Sequence, residues 1–337
     1  MDIMNVIQNT FAQLLGRNAC YYAIAAIGLN VQFGYAGLLN FGQAAFMAAG
    51  AYGLAQTLPV MGISLWWGIL IAIAYSVGLG VLMGIPTLRL RADYLAMVTI
   101  AVAEIVRLFV RSQWATRAFG GSNGLQTFSR QFRQIGEDLG ISPGKVYGFW
   151  AFRFTGRDLW VLIVGWSMVV IFGLIVWGLM RSPWGRVLKA IREDEEAVRS
   201  LGKNVYSYKM QALVLGGVIG TFGGMIIALG ADNVQPDNYS RDLTFYVLTG
   251  LVLGGVARVT GSIIGPMLFW ALFAFLDSFL RQVIGNKPVR IGDFTVISTV
   301  QVGPVVYMVM GALLVVLMVY RPQGIFGNRK EMAFDDR

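Results

Sequence analysis

Residues 28–52 read GLNVQFGYAGLLNFGQAAFMAAGAY, an apolar stretch that amides and glycines interrupt repeatedly. Polar groups at membrane depth are costly and usually face a cavity or a neighbouring helix. Glycine permits a broken helix, whose exposed amide ends can hold a carboxylate. We therefore predict a broken transmembrane helix here, with amides that either line a substrate path or hydrogen-bond between packed helices. The amides are Asn30, Gln32, Asn40 and Gln43, and the glycines are Gly34, Gly37, Gly42, Gly50 and Gly53.

The composition of the 337-residue chain places this stretch in a membrane protein. Hydrophobic residues make up 56% of the chain and charged residues 13%, against about 25% charged in soluble domains. One cysteine, Cys20, and no histidine exclude an internal disulfide and argue against zinc or histidine-dependent catalysis. The net charge of +9 indicates orientation and contact with anionic lipid rather than nucleic acid. The N-terminus lacks the pattern of a cleaved signal peptide.

Nine apolar segments are long enough to consider as membrane spans of about 20 residues. Their continuous apolar character favours helices over barrel strands. We predict an all-α, polytopic transmembrane helical bundle: a single transmembrane domain over 1–337 with eight to ten crossings and a broken helix near its N-terminal third. The segments lie near 19–34, 36–58, 64–86, 93–111, 159–180, 209–230, 243–257, 261–284 and 303–320.

Basic residues between the spans predict the orientation, because cytoplasmic loops are enriched in Lys and Arg. We place the 181–209 loop, the tail after 320 and the turn with Arg89 and Arg91 in the cytoplasm. The glycine-containing 112–158 segment then lies outside as a loop available to an external partner, although it is itself basic. The loop carries Arg181, Arg186, Lys189, Arg192, Arg199, Lys203 and Lys209, and the tail carries Arg321, Arg329, Lys330 and Arg337.

Residues 192–209, REDEEAVRSLGKNVYSYK, form a charged island in this apolar chain. Broken helical spacing from 183 to 205 predicts two short helices, with Pro183 at a start and Gly202 at an end. Glu195 and Glu196 can each pair with Arg199 on one helix face. The island is either a solvated orientation signal or a docking element for a soluble partner. No phosphate-binding loop is present, because Gly202-Lys203 lacks both the first glycine and the following Ser or Thr of that motif.

Six blocks, in order, resemble the LivM-type permease subunits of branched-chain amino acid ABC importers. The island carries the most specific match, since Glu196-Ala197 followed by Gly202 is similar to the Glu-Ala-Ala-x-x-x-Gly motif of ABC importer permeases, with Val198 in place of the second Ala. Gln43 stands where members often have His, which leaves hydrogen bonding but no titration. The blocks are 28–52, DYLAMVTIAVAEIVRL (93–108), GGSNGL (120–125), SPWGRVLKAIREDEEAVRSLGKNVYSYK (182–209), LGGVARVTGSIIGP (253–266) and RPQGIFG (321–327).

The resemblance implies a bacterial plasma-membrane permease that moves branched-chain amino acids by alternating access. It implies two cytoplasmic ATPase subunits that use ATP, a second related permease subunit and an external substrate-binding protein, with no cofactor, metal or catalytic site on this chain. The residues expected to couple to the ATPase are Arg192, Glu195, Glu196, Ala197 and Gly202. The residues expected along the path are Asn30, Gln32, Asn40, Gln43 and Glu104, the last beside Arg107 and Arg111.

Three other functions stay open at the level of sequence. The same permease role could serve urea or short-chain amides, which related permeases carry. An ion-driven secondary transporter would rest on Glu104, an acid in the interior of the 93–111 span. A membrane-embedded enzyme would need a catalytic set within the spans, and the sequence offers no paired carboxylates there.

Overall fold

The structure is a computed structural model that describes residues 3–90, 92–284, 289–291, 294–297, 301–321 and 323–327. Helices dominate these residues, which confirms the predicted all-α bundle. Arg91, Arg329, Lys330 and Arg337, which contributed to the predicted orientation, lie outside the described residues. The helices are α1 (Ile3–Leu14), α2 (Arg17–Leu29), α3 (Gln43–Ala55), α4 (Leu65–Thr87), α5 (Ala92–Arg111), α6 (Thr116–Phe119), α7 (Arg130–Asp138), α8 (Gly156–Arg181), α9 (Pro183–Glu193), α10 (Glu195–Ser200), α11 (Val205–Ala231), α12 (Arg241–Gly254), α13 (Val259–Ile284) and α14 (Val302–Tyr320).

Each of the nine predicted apolar segments contains a helix, although residues 36–42 of the second segment are not helical. Within the described residues, five of them (α4, α8, α11, α13 and α14) are long and apolar enough to cross a membrane. Helices α2, α3 and α12 have 13, 13 and 14 residues. A helix of that length spans only about 20 Å, less than the roughly 30 Å of the hydrocarbon core. Helix α5 is long enough but carries Asp93, Glu104, Arg107 and Arg111. The count of eight to ten crossings therefore stays a prediction.

Helix α11 lies at the centre of the bundle and packs against α2 and α3. Close approach of the backbones depends on glycine, because small residues let helices in lipid pack tightly. A Cβ added to Gly28 of α2 would collide with the carbonyl oxygen of Gly216 in α11, and one added to Gly224 would collide with the carbonyl oxygen of Met47 in α3. The glycine-rich composition is thus used for helix packing in the core.

Residues 112–158, the cap, form a folded layer rather than an extended loop. They contain α6, α7, strand β1 (Leu125–Gln126) and a hairpin of β2 (Val146–Phe149) with β3 (Phe152–Thr155). Strand β1 pairs with β4 (Asn233–Val234), and Arg133 forms an ion pair with Asp232 at 3.0 Å. The sequence did not predict these short elements, because none has enough periodicity to show. A further hairpin, β5 (Val289–Ile291) with β6 (Phe294–Ile297), lies between α13 and α14.

The cap and the 181–209 segment lie at opposite ends of α8, which starts directly after β3 and ends directly before α9. Its 26 residues span about 39 Å. Arg89 lies beside α10, and the Ile325 amide binds the carbonyl of Leu253 next to the α12–α13 turn. The turn after α4 and residues 323–327 therefore gather at the α9–α10 end.

Candidate functional site

The predicted broken helix is present between α2 and α3. After α2 the chain continues as a π-helical turn over Asn30–Tyr35, leaves the helix at Ala36 and resumes helix only at Gln43. Gly37 adopts a φ of +68° in the left-handed region, which glycine accepts without steric cost. Such π-turns inside helices are frequent at functional sites. We call residues 30–43 the broken segment.

Asn30 connects the broken segment to the turn between α12 and α13. Its side chain is fully buried. The Nδ2 group donates to the carbonyl of Arg258 at 3.0 Å, and Oδ1 accepts from the amide of Ala257 at 2.9 Å. Ala257 has a φ of +63°, a conformation that costs a non-glycine residue roughly 1–3 kcal/mol unless its surroundings hold it. Asn30 thus holds this turn through both the nitrogen and the oxygen of its side-chain amide.

Gln32 and Asn40 form a second connection, to α11. Gln32 Nε2 donates to the carbonyl of Leu213 at 2.8 Å, and Gln32 Oε1 accepts from Asn40 Nδ2 at 2.7 Å. Asn40 Oδ1 in turn accepts from the amide of Gly42 at 2.8 Å. Both side chains are buried, so each polar atom needs a partner inside the protein. The network supplies these partners and fixes the loop that re-enters the bundle.

Gln43, the first residue of α3, is buried without full hydrogen bonding. Its Nε2 lies 3.4 Å from the carbonyl oxygens of Ala25 and Gly216. Its Oε1 is buried and has no partner among the described residues. A buried acceptor left unpaired costs about 1–3 kcal/mol. Gln43 is therefore the amide of the four whose acceptor is available to a further donor.

Three threonines that the sequence analysis did not single out support the same region. Thr244 Oγ1 accepts from the amide of Ala44 at 2.8 Å, and Thr99 Oγ1 accepts from the amide of Phe41 at 3.0 Å. Thr221 donates to the carbonyl of Phe46 at 3.1 Å. All three threonines are buried. Threonines inside apolar spans are the signal that could have identified them, because such hydroxyls bond across helices in membranes.

Glu104 belongs to a separate ionic cluster on α5. Arg107 Nε lies 3.0 Å from Glu104 Oε2, as the i,i+3 spacing predicted. Arg107 and Arg111 both bind Asp237 Oδ1, at 2.7 and 3.1 Å. Asp237 lies in the turn Pro236–Tyr239 that follows β4. The cluster thus fastens α5 to the cap end of the bundle, while the four amides meet around the broken segment.

An apolar cleft of about 470 Å³ lies between α3, α4 and α5. Its walls include Ala48 and Tyr52 of α3, Leu79 of α4 and Phe109 of α5. The Tyr52 hydroxyl is buried and has no partner in the described part of the chain. Tyr75 donates to Gln56 Oε1 at 2.9 Å at the same cleft. The cleft can accept an aliphatic group without leaving many polar atoms unpaired.

Two short helices, α9 and α10, confirm the form predicted for the charged island; we call them the coupling helices. Pro183 is in the first turn of α9. Asp194 is the non-helical residue between α9 and α10, and its side chain accepts a hydrogen bond from the amide of Ala197 at 2.9 Å. Gly202, at a φ of +76°, ends α10, with its amide bound to the carbonyl of Arg199 and the amide of Lys203 bound to that of Val198. This is a Schellman cap.

The predicted coupling residues divide between two faces. Glu196, Ala197 and Gly202 are exposed, next to Leu201, whose side chain is 79% exposed. Glu195 faces the bundle, where it pairs with Arg199 at 2.9 Å and with Lys209. Leu201 belongs to the broken apolar spacing of 183–205, which indicated helix, but that spacing did not predict that its side chain is exposed.

Arg192 connects the coupling helices to the broken segment. Its Nη1 donates to the carbonyl of Gly34 at 2.6 Å. Lys189 lies 5.7 Å from the ring of Tyr35, and a Cβ on Gly37 would lie 3.3 Å from Arg192 Cγ. Gly34 is in the last turn of its helix, where carbonyls lack intrahelical partners and cations are favoured. The coupling helices thus supply the C-terminal cap of the broken helix.

Comparison with known proteins agrees with this architecture. A model of one protein family, described as branched-chain amino acid transport system / permease component, matches residues 14–318. The chain is 31% identical over 316 residues to the high-affinity branched-chain amino acid transport system permease protein LivM of Escherichia coli (strain K12), covering 90% of this chain and 67% of that protein. It is 24% identical over 350 residues to a probable LivM of Methanocaldococcus jannaschii, covering 91% of each. It is also 25% identical over 242 residues to the nucleoside ABC transporter permease protein NupC of Lactococcus lactis subsp. cremoris, covering 68% and 69%.

Proposed function

The chain belongs to the family of branched-chain amino acid transport permease components, and we propose that it forms one half of a pore through the bacterial inner membrane. A permease of an ABC importer is a multi-pass transport component rather than an enzyme, and ATPase partners drive it. The finer assembly that we propose has two ATPase subunits on the coupling helices, a second related permease subunit beside this one and an external substrate-binding protein on the cap. Branched-chain amino acids are the substrate.

The outward face of α10 supports the position of the ATPase. Glu196, Ala197, Leu201 and Gly202 present one apolar anchor within a polar surface, a combination that suits a partner's groove. The inward face, with Val198 and Leu188 buried, fixes both helices on the bundle. A movement of the ATPase would then move the coupling helices as a unit.

The hydrogen bond between Arg192 Nη1 and the carbonyl of Gly34 is the observation that carries the proposal. It joins the surface that the ATPase contacts to the break in the helix. From there Asn30 reaches the α12–α13 turn and Gln32 reaches α11. Displacement of Arg192 would therefore reposition the broken segment against two further helices. Alternating access needs such a two-state element, which the ATPase biases from a distance.

Two separate features of α3 support the substrate: the Gln43 side chain, which lies against α2 and α11, and the apolar cleft, which lies towards α4 and α5. Gln43 Oε1 has an unused acceptor capacity that an ammonium group can fill. The cleft of about 470 Å³ beside α3 suits an aliphatic side chain, because ligand sites combine apolar walls with few polar groups. Asn30, Gln32 and Asn40 serve the path indirectly, by holding the broken segment in position. Glu104 serves it by fastening α5.

Uptake by the reconstituted importer tests this function. The complete complex, in liposomes with ATP and the external binding protein, should accumulate labelled leucine. Unlabelled isoleucine and valine should compete, while urea and acetamide should not. Competition by urea or acetamide alone would assign the permease to amides instead. Leucine uptake by this chain alone, driven by an ion gradient, would replace the proposal with secondary transport.

A further inference from the structure

A cleft of about 540 Å³ with charged lining residues lies outside the proposed substrate path. It is formed by the α4–α5 turn, α10 and the start of α11. Arg89 of the turn, Arg199 of α10 and Lys209 of α11 line it, together with Tyr206. The carboxylate of Glu195 is the acid among its lining residues. Three cations thus surround the cleft against one carboxylate.

Glu195 cannot neutralise this positive charge. Its Oε1 accepts from Arg199 and its Oε2 from Lys209, so a single negative charge is divided between two cations. Arg89 lies 6.0 Å from the ring of Tyr206, and within the described ranges it has no carboxylate partner. The cleft therefore carries a surplus of about two positive charges and has room for an anion.

Apolar side chains next to the cleft indicate which kind of anion fits. Ile85, on the last turn of α4, is 54% exposed, and Leu90 is 43% exposed beside Arg89. Tyr94 and Met97, on the first turns of α5, are also exposed, at 57% and 58%. A soluble anion would use only the cations. An amphipathic anion would use the cations and the apolar flank together.

We propose that this cleft binds the phosphate group of an anionic phospholipid, with the acyl chains along the exposed flank of α4 and α5. The cleft lies where apolar helices end and the charged segment begins, which is the level of the headgroups. Basic pockets between helices on the cytoplasmic side are a known form of lipid headgroup site. Bound phosphate would lie against Arg199 and Lys209, the two cations that hold Glu195. The lipid would therefore stabilise α10 on the bundle.

Native mass spectrometry of the complete importer in mild detergent tests the proposal. Titration with phosphatidylglycerol should give bound adducts, and phosphatidylcholine should bind at least tenfold more weakly. Arg89→Gln should weaken phosphatidylglycerol binding about fivefold, the effect expected for one cation near an anionic group. Lys203→Gln is the matched control, because Lys203 is exposed on the same segment and lies outside the cleft. It should leave binding unchanged.

Two further measurements distinguish a phospholipid from a soluble phosphate as the ligand of the cleft. Glycerol 3-phosphate, a soluble phosphate without acyl chains, should fail to displace the lipid at millimolar concentration. Displacement by it would replace the lipid with a soluble anion. Equal binding of phosphatidylcholine, or equal losses in Arg89→Gln and Lys203→Gln, would remove the site. Because Arg89 is exposed, its substitution should leave the melting temperature of the complex in the absence of added lipid unchanged. A fall there would show that Arg89 has a structural role and would contradict a lipid-binding role.

Discussion

The broken segment and the coupling helices interrupt the helical bundle in opposite ways. In the broken segment the interrupting side chains are neutral amides, and Asn30, Gln32 and Gln43 are completely buried. In the coupling helices the interrupting residue is Asp194, and the charged side chain of Arg199 beside it is 66% exposed. The first region uses its polar atoms in hydrogen bonds inside the protein, and the second exposes them to solvent.

This difference determines which atoms are informative in each region. Inside the bundle nearly every polar atom must be paired, and for this reason we propose that a ligand binds at the unpaired Gln43 Oε1. On the surface, ion pairs such as Glu195–Arg199 contribute roughly 0–1 kcal/mol to stability and do not by themselves identify a functional site. There the exposed apolar side chain of Leu201 is the informative one. Arg192 belongs to both regions, since it starts on α9 and ends on a carbonyl of the broken segment.

Replacing Gln32 by Leu should have the largest effect on stability, because it removes hydrogen bonds that hold the buried broken segment in place. Nδ2 of Asn40 would lose its acceptor, at about 1–3 kcal/mol, and the carbonyl of Leu213, which lies inside α11, would lose its second donor. We expect a several-fold fall in the yield of monodisperse complex and a lower melting temperature. Gln126→Leu, at an exposed position of the cap, is the control. Equal stability of the two variants would contradict the role of Gln32.

Gly202→Trp should abolish uptake while leaving the permease folded, which would confirm that the exposed region works through a partner. A Cβ at Gly202 meets nothing within 4 Å, so the permease itself has room for the side chain. The cost within the chain is the left-handed φ, about 1–2 kcal/mol. The indole would occupy the docking face and prevent co-purification of the ATPase.

Gly202→Asn is the matched variant for this test, because asparagine tolerates the left-handed conformation with a short side chain. It should retain both assembly and uptake. Wild-type assembly of Gly202→Trp would show that the ATPase docks elsewhere.

Arg192→Met should uncouple the two regions without separating the complex. The bond to the carbonyl of Gly34 is charge-assisted, and such bonds contribute about 1.5–3 kcal/mol. We expect leucine uptake to fall tenfold or more, while the ATPase still co-purifies and hydrolyses ATP. Arg186→Met, on the exposed side of α9, should change neither quantity. Loss of the ATPase from Arg192→Met would reassign Arg192 to the docking face.

The sequence predicted the secondary structure of the two regions but not the contacts of their side chains. The amides and glycines between 28 and 52 were sufficient to predict a broken helix. Pro183 and Gly202 were sufficient to predict where the coupling helices begin and end. The division of Arg192 and Glu196 onto opposite faces was not predictable, because it depends on the rotation at Asp194. The bond from Arg192 to Gly34 joins residues 158 positions apart, and a single sequence holds no signal for such a pair. The folded cap was missed because its elements are too short to show periodicity.

Gln43→Leu should have the smallest effect on the fold and a selective effect on transport. Its Oε1 has no partner in the described structure and its Nε2 contacts are long, so the amide contributes little to stability. The melting temperature should equal or exceed that of the wild type, in contrast to Gln32→Leu. If the acceptor binds the substrate ammonium, losing that bond should reduce leucine uptake up to about tenfold, with ATPase assembly unchanged. An unchanged uptake rate at equal stability would make Gln43 a packing residue like its neighbours. The substrate contact would then have to be sought at the Tyr52 hydroxyl, a buried polar atom of the apolar cleft that has no partner in the described structure.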